Sequence, residues 1–275
     1  MRVLFCGCAG IFSGLVLREL LACRDAQVVA VVRSTRVLSA RYGLLRGAWH
    51  QCRRSGLAYT LYLWLATGWT EALSRCGLGR LARRHGIPTL ATRDINDPRG
   101  LAFVDGAGPD VLVCAYFNQR IGPSLLGRPG IVALNVHPSL LPDLKGVDPV
   151  FFARLRGLSD LGVTVHHMET ELDAGGILAQ QGLAVPVGES VLRTTARLFA
   201  LGGRLLVSRL VDAPRLGSGR PQPGGGSYDS WPTPGQVASL RRRGVPLMRP
   251  SDLVWASRLP SSEGGSRASC KGPGS

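Results

Sequence analysis

The sequence predicts an α/β protein with a Rossmann-like, mainly parallel sheet and helices on both faces. Two observations support this fold class. Short apolar runs alternate with segments of helical periodicity along most of the chain, which is the pattern of buried strands joined by covering helices. The chain has 275 residues, 45% of them hydrophobic, so it is long enough to bury the core of one large domain.

The strands and helices are expected in alternating order. The first strand is expected at residues 2–6 and the first helix at residues 14–22. Further strands are expected at residues 27–32, 88–90, 110–115, 131–136, 162–168 and 177–185. A long closing helix is expected at residues 190–211, where residues 188–190 supply an N-terminal cap.

The turn after the first strand contains several glycines, as dinucleotide-binding turns do. The spacing in residues 7–14, GCAGIFSG, is not the G-x-G-x-x-G of those sites. The second strand ends at Arg33 and lacks the acidic residue that binds a ribose. The sequence therefore favours a tight structural turn.

Two regions depart from the alternating pattern. Residues 34–84 are a long insertion in which arginines precede the aromatic and apolar run at 59–65. The favoured interpretation is a helical hairpin packed on the domain. The alternative is a surface, within residues 36–80, that contacts a membrane, an apolar acceptor or RNA. Residues 213–275 form a tail rich in glycine and proline, with aromatic residues at 226–232 that could dock on the body. We therefore expect a catalytic domain at 1–212 and a partly disordered tail, with disorder after about residue 259.

The charge and cysteine content of the chain indicate what partners and what cellular compartment to expect. Lys and Arg number 33 against 18 Asp and Glu, a net charge of +15, which suits a phosphate-rich partner or reflects base composition alone. The seven cysteines show no zinc-type spacing and are expected to be reduced thiols. Because of this spacing, no metal site is expected. No signal peptide or membrane-spanning run is recognised, so a cytoplasmic protein is expected.

An amide and an imidazole stand two residues apart where an apolar strand ends, in residues 135–142, NVHPSLLP. Asn135 and His137 share one face of the strand and fall at the carboxyl edge of the sheet, where ligands bind in this fold. A neutral histidine can move a proton between an attacking amine and a leaving group. The asparagine amide can donate to an oxygen that becomes negative. This pair indicates acyl transfer.

A carboxylate is needed to orient the imidazole, and the segment at 169–178 offers three. Glu169, Glu171 and Asp173 precede a glycine turn and the next strand, and spacing alone does not choose among them. His166 and His167 fall on opposite faces of a strand, and a structural role is favoured for His166.

Residues 135–146, 163–166 and 171–178 together resemble the folate-dependent formyltransferases. That family includes methionyl-tRNA formyltransferase, glycinamide ribonucleotide formyltransferase and the sugar N-formyltransferases. The resemblance is specific over residues 110–187 and weak in the insertion and the tail. It implies the formyltransferase fold, with Asn135, His137 and Asp173 as the catalytic residues.

The resemblance also implies a one-carbon donor, 10-formyltetrahydrofolate. The pterin of the donor is expected to contact the loop at residues 115–121 and the backbone near Asp173. Residues 139–142 are expected to lie beside the formyl group. The implied donor-binding residues are Tyr116, Phe117, Asn118, Gln119, Ile121, Ser139, Leu140, Leu141, Pro142 and Leu172.

The resemblance leaves the acceptor open. The expected acceptor is a primary amine carried by tRNA, by an amino sugar, or by another small or lipid-linked molecule, and DNA is not expected as a partner. Two alternatives remain: a formyltetrahydrofolate hydrolase, with water as the acceptor, and a non-catalytic protein that binds folate or RNA.

Overall fold

The structure, a computed structural model, describes residues 1–36, 43–211 and 216–261. Its strands are β1 (Arg2–Cys8), β2 (Gln27–Ser34), β3 (Thr89–Thr92), β4 (Val111–Ala115), β5 (Val132–His137), β6 (Lys145–Gly146), β7 (Asp160–His167), β8 (Ile177–Ala184) and β9 (Tyr228–Asp229). Its helices are α1 (Ile11–Ala22), α2 (Leu44–Trp64), α3 (Thr70–Leu73), α4 (Leu78–Arg84), α5 (Pro98–Ala107), α6 (Pro123–Leu126), α7 (Pro149–Leu155), α8 (Val191–Leu210), α9 (Pro234–Arg242) and α10 (Pro250–Arg258), with a π-helical turn at Leu65–Trp69.

Seven strands form the main sheet in the order β3-β2-β1-β4-β5-β7-β8. The first five of these run parallel, and β7 and β8 are antiparallel additions beside β5. The predicted mainly parallel α/β fold is therefore confirmed. Each strand lies within a few residues of its predicted position, because buried strands of a parallel sheet are read directly from apolar runs.

Apolar side chains cover both faces of the sheet. One cluster includes Phe5 and Val113 with the buried faces of α1 and α8, and the other includes Leu4 and Leu112 with residues of α5. Alternate residues of a strand face opposite sides, which places neighbours such as Leu4 and Phe5 in different clusters. Ser190 caps α8 by accepting a hydrogen bond from the Arg193 N–H, as predicted.

The glycine turn after β1 is closed by the insertion. The Gly10 N–H donates to Oε2 of Glu71 at 2.9 Å, and the Ile11 N–H donates to Oγ1 of Thr70 at 3.3 Å. These backbone donors at the start of α1 are the ones that hold a phosphate in dinucleotide sites. Residues of the insertion take their place, in agreement with the structural interpretation of this turn.

The insertion packs on the domain through one side of α2. Tyr59 and Tyr62 are buried there, and α2 is interrupted at Gly56, whose φ of 83° and ψ of 162° are not helical. A positive φ of this kind favours glycine. The expectation that the insertion packs on the domain is confirmed for this side, and the opposite side of α2 is exposed.

The described part of the tail docks on the body of the domain. Tyr228–Asp229 pairs in parallel with Lys145–Gly146, and Trp231 packs on the larger core cluster. The disorder expected after about residue 259 falls largely on residues 262–275, outside the described residues. Among the helices described, none is both long enough and apolar enough to cross a membrane.

Candidate functional site

The end of β5 brings Asn135 and His137 to the site, and β7 places histidine and threonine beside them. The antiparallel register pairs Asn135 with His166 and His137 with Thr164. His137 and His166 are both buried. Their rings approach edge to face with centroids 6.4 Å apart.

A chain of polar contacts orients the amide of Asn135. The Nδ1 of His166 lies 2.7 Å from the carbonyl oxygen of His167, and a carbonyl can only accept, so this nitrogen carries the proton. The Nε2 of His166 is then an acceptor for Nδ2 of Asn135, at 3.1 Å. Burial lowers the pKa of His166 from 6.5 to about 4, and the neighbouring His137 adds to the shift. His166 therefore stays neutral at pH 7 and keeps accepting from Asn135.

The imidazole of His137 lies between a carbonyl and a carboxylate. Its Nε2 is 3.0 Å from the carbonyl oxygen of Leu144, which again assigns a proton to that nitrogen. Its Nδ1 is 3.6 Å from Oδ1 of Asp173. In the neutral ring Nδ1 is the basic nitrogen, and a proton added there would be stabilised by the carboxylate.

Asp173 is held with its carboxylate turned into the protein. Its backbone is left-handed, with φ of 55°, and its side chain is only 13% exposed. Oδ2 accepts a hydrogen bond from the Gly146 N–H at 3.0 Å. Burial acts to raise the pKa of this carboxyl, but His137, the Gly146 N–H, His166 and Lys145 together outweigh it and lower the pKa. Asp173 is thus ionised at neutral pH.

The loop that carries Asp173 is fixed from the tail side. The side-chain amide of Gln222 donates to the carbonyl oxygens of Asp173, at 2.9 Å, and of Gly175, at 2.8 Å. A β-carbon at Gly175 would come within 2.1 Å of the carbonyl oxygen of His167. Glycine is required at this position because of that close approach.

The loop that carries Gly146 is fixed by the same stretch of tail. The Lys145 N–H donates to the Ser227 carbonyl at 2.8 Å, and the Val147 N–H donates to the Asp229 carbonyl at 2.8 Å. Arg156 holds the carboxylate of Asp229 with two hydrogen bonds of 2.8 Å. Two loops of the site are therefore positioned by residues 216–229.

The predicted donor-binding loop divides into exposed and internal residues. Asn118 is exposed, and Phe117 is half-buried against the smaller core cluster. Gln119 is buried, and its amide donates to Ser34 and Thr92 and accepts from the Ile95 N–H. Its side chain supports the loop and does not face an open surface. Two further members are internal: Ile121 is buried, and the ring of Tyr116 packs between Phe12 and Phe199.

The residues after His137 form a turn beside the catalytic candidates. Ser139 is buried, and its hydroxyl donates to the Asp143 carbonyl at 2.9 Å. Leu141 is buried and is followed by Pro142 across a cis peptide bond. Leu140, and Leu172 next to Asp173, are each 39% exposed. These two leucines leave apolar surface open at the site.

Among the described residues, no group of three or more His, Cys, Asp or Glu side chains is arranged to hold a metal ion.

Comparison with known proteins shows the fold of the chain and relates one segment of it to a known family. The family model described as formyl transferase matches residues 82–210. This segment, a little under half of the chain, is similar to the formyl transferase family. The match contains β5, β7 and the Asp173 loop, and so Asn135 and His137, which the sequence pattern indicates, and Asp173, which the family resemblance implies.

Curated relatives share sequence with about half of the chain. A methionyl-tRNA formyltransferase from Roseiflexus castenholzii is 37% identical over 142 residues, which are 52% of this chain and 45% of that protein. A second methionyl-tRNA formyltransferase, from Geobacillus thermodenitrificans, is 36% identical over 47% of this chain and 40% of its own length. The chain thus spans less than half the length of these relatives.

A solved phosphoribosylglycinamide formyltransferase from Bacillus halodurans superposes with a TM-score of 0.53 at 18% identity, covering 78% of this chain and 96% of its own. A sugar N-formyltransferase from Shewanella superposes with a TM-score of 0.52 at 16% identity, covering 84% of this chain and 76% of its own. At these identities the superpositions show the fold.

Three residues at the site were not selected by sequence reasoning. His166, which the pattern favours as structural, lies 3.9 Å from Oδ1 of Asp173 as well as beside Asn135. Gly146 and Gln222 hold the Asp173 loop from opposite sides. The signal for His166 is its cross-strand register with Asn135, which requires knowledge of the antiparallel pairing.

Proposed function

We propose that the protein transfers a formyl group from 10-formyltetrahydrofolate to a primary amine by direct attack. The observation that carries the proposal is the placement of His137 between a fixed carbonyl and the Asp173 carboxylate, next to the oriented amide of Asn135. His137 is a proton acceptor, Asp173 is the carboxylate that stabilises its charged form, and Asn135 is a hydrogen-bond donor to the oxyanion. These are the groups that acyl transfer to an amine requires.

In the first step the amine nitrogen bonds to the formyl carbon, and the carbonyl oxygen becomes negative. One N–H of Asn135 is engaged by His166, and its other N–H is left to donate to this oxygen. The ammonium proton passes to Nδ1 of His137, and the Asp173 carboxylate stabilises the imidazolium. The other ring nitrogen of the imidazolium, Nε2, donates a hydrogen bond to the Leu144 carbonyl. Asp173 acts through its charge and its low pKa.

In the second step the bond from the formyl carbon to N10 of the folate breaks. The imidazolium of His137 returns its proton to that nitrogen, so tetrahydrofolate leaves neutral at N10 and the formamide product is released. Atoms and charge balance without a covalent enzyme intermediate, and neither a nucleophilic side chain nor a metal is used.

Open apolar surface supports the folate donor. Leu140 and Leu172 are each 39% exposed. Phe117 and Asn118 follow the end of β4, which is next to β5 in the sheet. A flat pterin needs apolar contact on its faces and hydrogen bonds at its edge. Backbone groups of the Asp173 loop are the candidates for that edge.

The acceptor is proposed as a class, a primary amine. Methionyl-tRNA is one member, supported by the names of the curated relatives. An amino sugar is another, and a lipid-linked amine is a third.

The test is to incubate the protein with 10-formyltetrahydrofolate and each acceptor class, and to follow tetrahydrofolate release together with the mass of the acceptor. Release that depends on one amine, with a gain of one formyl group on it, supports the proposal. Release that is equally fast without an amine would identify a hydrolase. Donor binding without release, for every acceptor and for a cell extract, would identify a binding protein.

A further inference from the structure

The second half of α2, with the π-helical turn and α3 after it, presents its apolar side outward. The side that faces the domain carries mostly small and hydroxyl-bearing residues: Tyr59, Tyr62, Ala66, Thr70 and Ser74. The outer side, here called the α2 face, consists of Leu57, Ala58, Leu61, Trp64, Gly68, Ala72 and Leu73. Leu57, Leu61 and Trp64 are 72%, 51% and 60% exposed. A helix on the surface of a soluble domain has the opposite pattern, with charged residues outward.

The only polar side-chain group on the α2 face is the indole N–H of Trp64. Residues 55–70 contain no charged side chain. The hydroxyl of Thr60 donates to the Gly56 carbonyl at 2.9 Å, and that of Thr67 donates to the Leu63 carbonyl at 2.7 Å. Hydroxyls bonded back to the preceding helical turn tolerate an apolar medium, because no donor is left unsatisfied there.

The first half of α2 adds positive charge and a second exposed tryptophan. Arg46, Arg53 and Arg54 are exposed, and the guanidinium of Arg53 lies 4.8 Å from the ring centre of Trp49. Trp49 is itself exposed. Arginine and tryptophan together are typical of helices that lie at the boundary between lipid headgroups and acyl chains.

We propose that the α2 face docks on an anionic lipid surface. Leu57, Leu61 and Trp64 enter the acyl region, while Arg46 and Arg53 contact headgroup phosphates. The helix lies along the surface, because Tyr59 and Tyr62 fix its other side to the domain.

The chemistry of the face favours lipid over other occupants. A second copy of the chain would bring two proteins of charge +15 together, which repel each other. A single-stranded RNA needs aromatic rings interleaved with basic residues, and the stretch from 55 to 70 has no basic residue. An anionic membrane complements both the basic first half of α2 and its apolar second half.

Docking would place the bilayer next to the candidate site. The hydroxyl of Tyr59, on the inner side of α2, donates to Oδ2 of Asp148 at 2.6 Å. Asp148 caps α7 and stands two residues after Gly146, which binds Asp173. The inference goes beyond the proposed function and does not depend on it, since lipid binding is measured without donor or acceptor.

The experiment is co-sedimentation of the full chain with vesicles of phosphatidylcholine alone or mixed with phosphatidylglycerol. Binding to the mixed vesicles is expected to be at least about tenfold tighter and to weaken with added salt. The variant Leu57→Ser/Leu61→Ser/Trp64→Ser should lose at least about tenfold in affinity. The matched control Leu158→Ser/Val187→Ser/Val254→Ser changes exposed apolar residues elsewhere and should bind as the wild type does. Arg46→Gln/Arg53→Gln should remove most of the preference for phosphatidylglycerol.

A measurement on the wild-type protein tests lipid contact without relying on variants that could misfold. Lipids brominated on the acyl chain should quench tryptophan fluorescence of the wild-type chain bound to mixed vesicles. The proposal is overturned by an absence of quenching or of vesicle binding. It is also overturned if the serine variant binds vesicles normally, if the same substitutions abolish binding to RNA instead, or if they dissociate a dimer.

Discussion

Gln222, in the glycine- and proline-rich tail, donates its side-chain amide to the backbone carbonyl of Asp173 at 2.9 Å. The same amide reaches the carbonyl of Gly175, so one tail residue ties two points of the loop that carries the carboxylate. Each such hydrogen bond contributes about 1 kcal/mol. Gln222→Ala should therefore displace the Asp173 loop, lower kcat by about tenfold and raise the donor Kd, because the same loop backbone is proposed to contact the pterin. Steady-state kinetics with donor titration measure both, and Gln181→Ala, an exposed glutamine on β8, serves as the control. A Gln222→Ala enzyme with normal kcat would show that the loop is held without this residue.

Asp173→Asn should lower kcat by about two or more orders of magnitude, because the amide cannot stabilise a charged imidazole. Glu171→Gln is the matched control, since it removes an exposed carboxylate from the same loop. Single-turnover transfer at pH 7 separates the two. Equal losses in both variants would mean that the loop, and not this carboxylate, matters.

Asn135→Ala should cost roughly two to three orders of magnitude in kcat, the range for one oxyanion donor. His137→Ala should cost about two or more, as a proton-transfer group does. Donor binding measured by fluorescence should change little in either variant, because the lost interactions belong to the transition state. Wild-type rates in either variant would place the site elsewhere.

The free energy of unfolding should decrease as the pH is lowered from 6.5 toward 4, because of His166. Its pKa is about 4 in the folded protein against 6.5 as the ordinary value, so the unfolded chain binds the proton more readily. The contribution is present above pH 6.5 and is lost as the pH falls toward 4, by up to about 3 kcal/mol. Urea unfolding between pH 7 and 4 should show this loss in the wild type and in His85→Gln, an exposed histidine, but less in His166→Gln. The same slope in all three would contradict the assignment.

Gly175→Ala should destabilise the fold by about 2 kcal/mol or more, because the new methyl meets the His167 carbonyl at 2.1 Å and the backbone must move. Gly106→Ala is the control. It lies in α5 with no atom within 4 Å of the added carbon, and should stabilise by up to about 1 kcal/mol. Thermal unfolding of both variants measures the difference, and a neutral Gly175→Ala would show that the turn adapts.

The sheet was predictable from sequence because its strands are buried and apolar. Alternation alone does not give the direction of β7 and β8, since the direction of a strand depends on how its connection crosses the sheet. The register that brings His166 to Asn135 follows only from that direction. The pair of two-residue strands, β6 and β9, is too short to have a periodic signal, and its partners are far apart in sequence.

The sequence pattern indicated Asn135 and His137 through their spacing at a strand end, and the family resemblance selected Asp173 among three acids. Gln222 gave no such signal. It lies in a segment whose composition predicts irregular structure, and its role comes from where the backbone passes. Tertiary packing, which no local pattern encodes, decides that.

The pairing of Lys145–Gly146 with Tyr228–Asp229 has a consequence for how the protein is made. Contacts between segments this far apart in sequence form slowly, because a large loop must close before they contribute. During synthesis the sheet through β8 can assemble while residues 216–229 are still untranslated. The Gly146 and Asp173 loops would acquire their final positions only after those residues emerge, so the sheet would fold before the candidate site is complete.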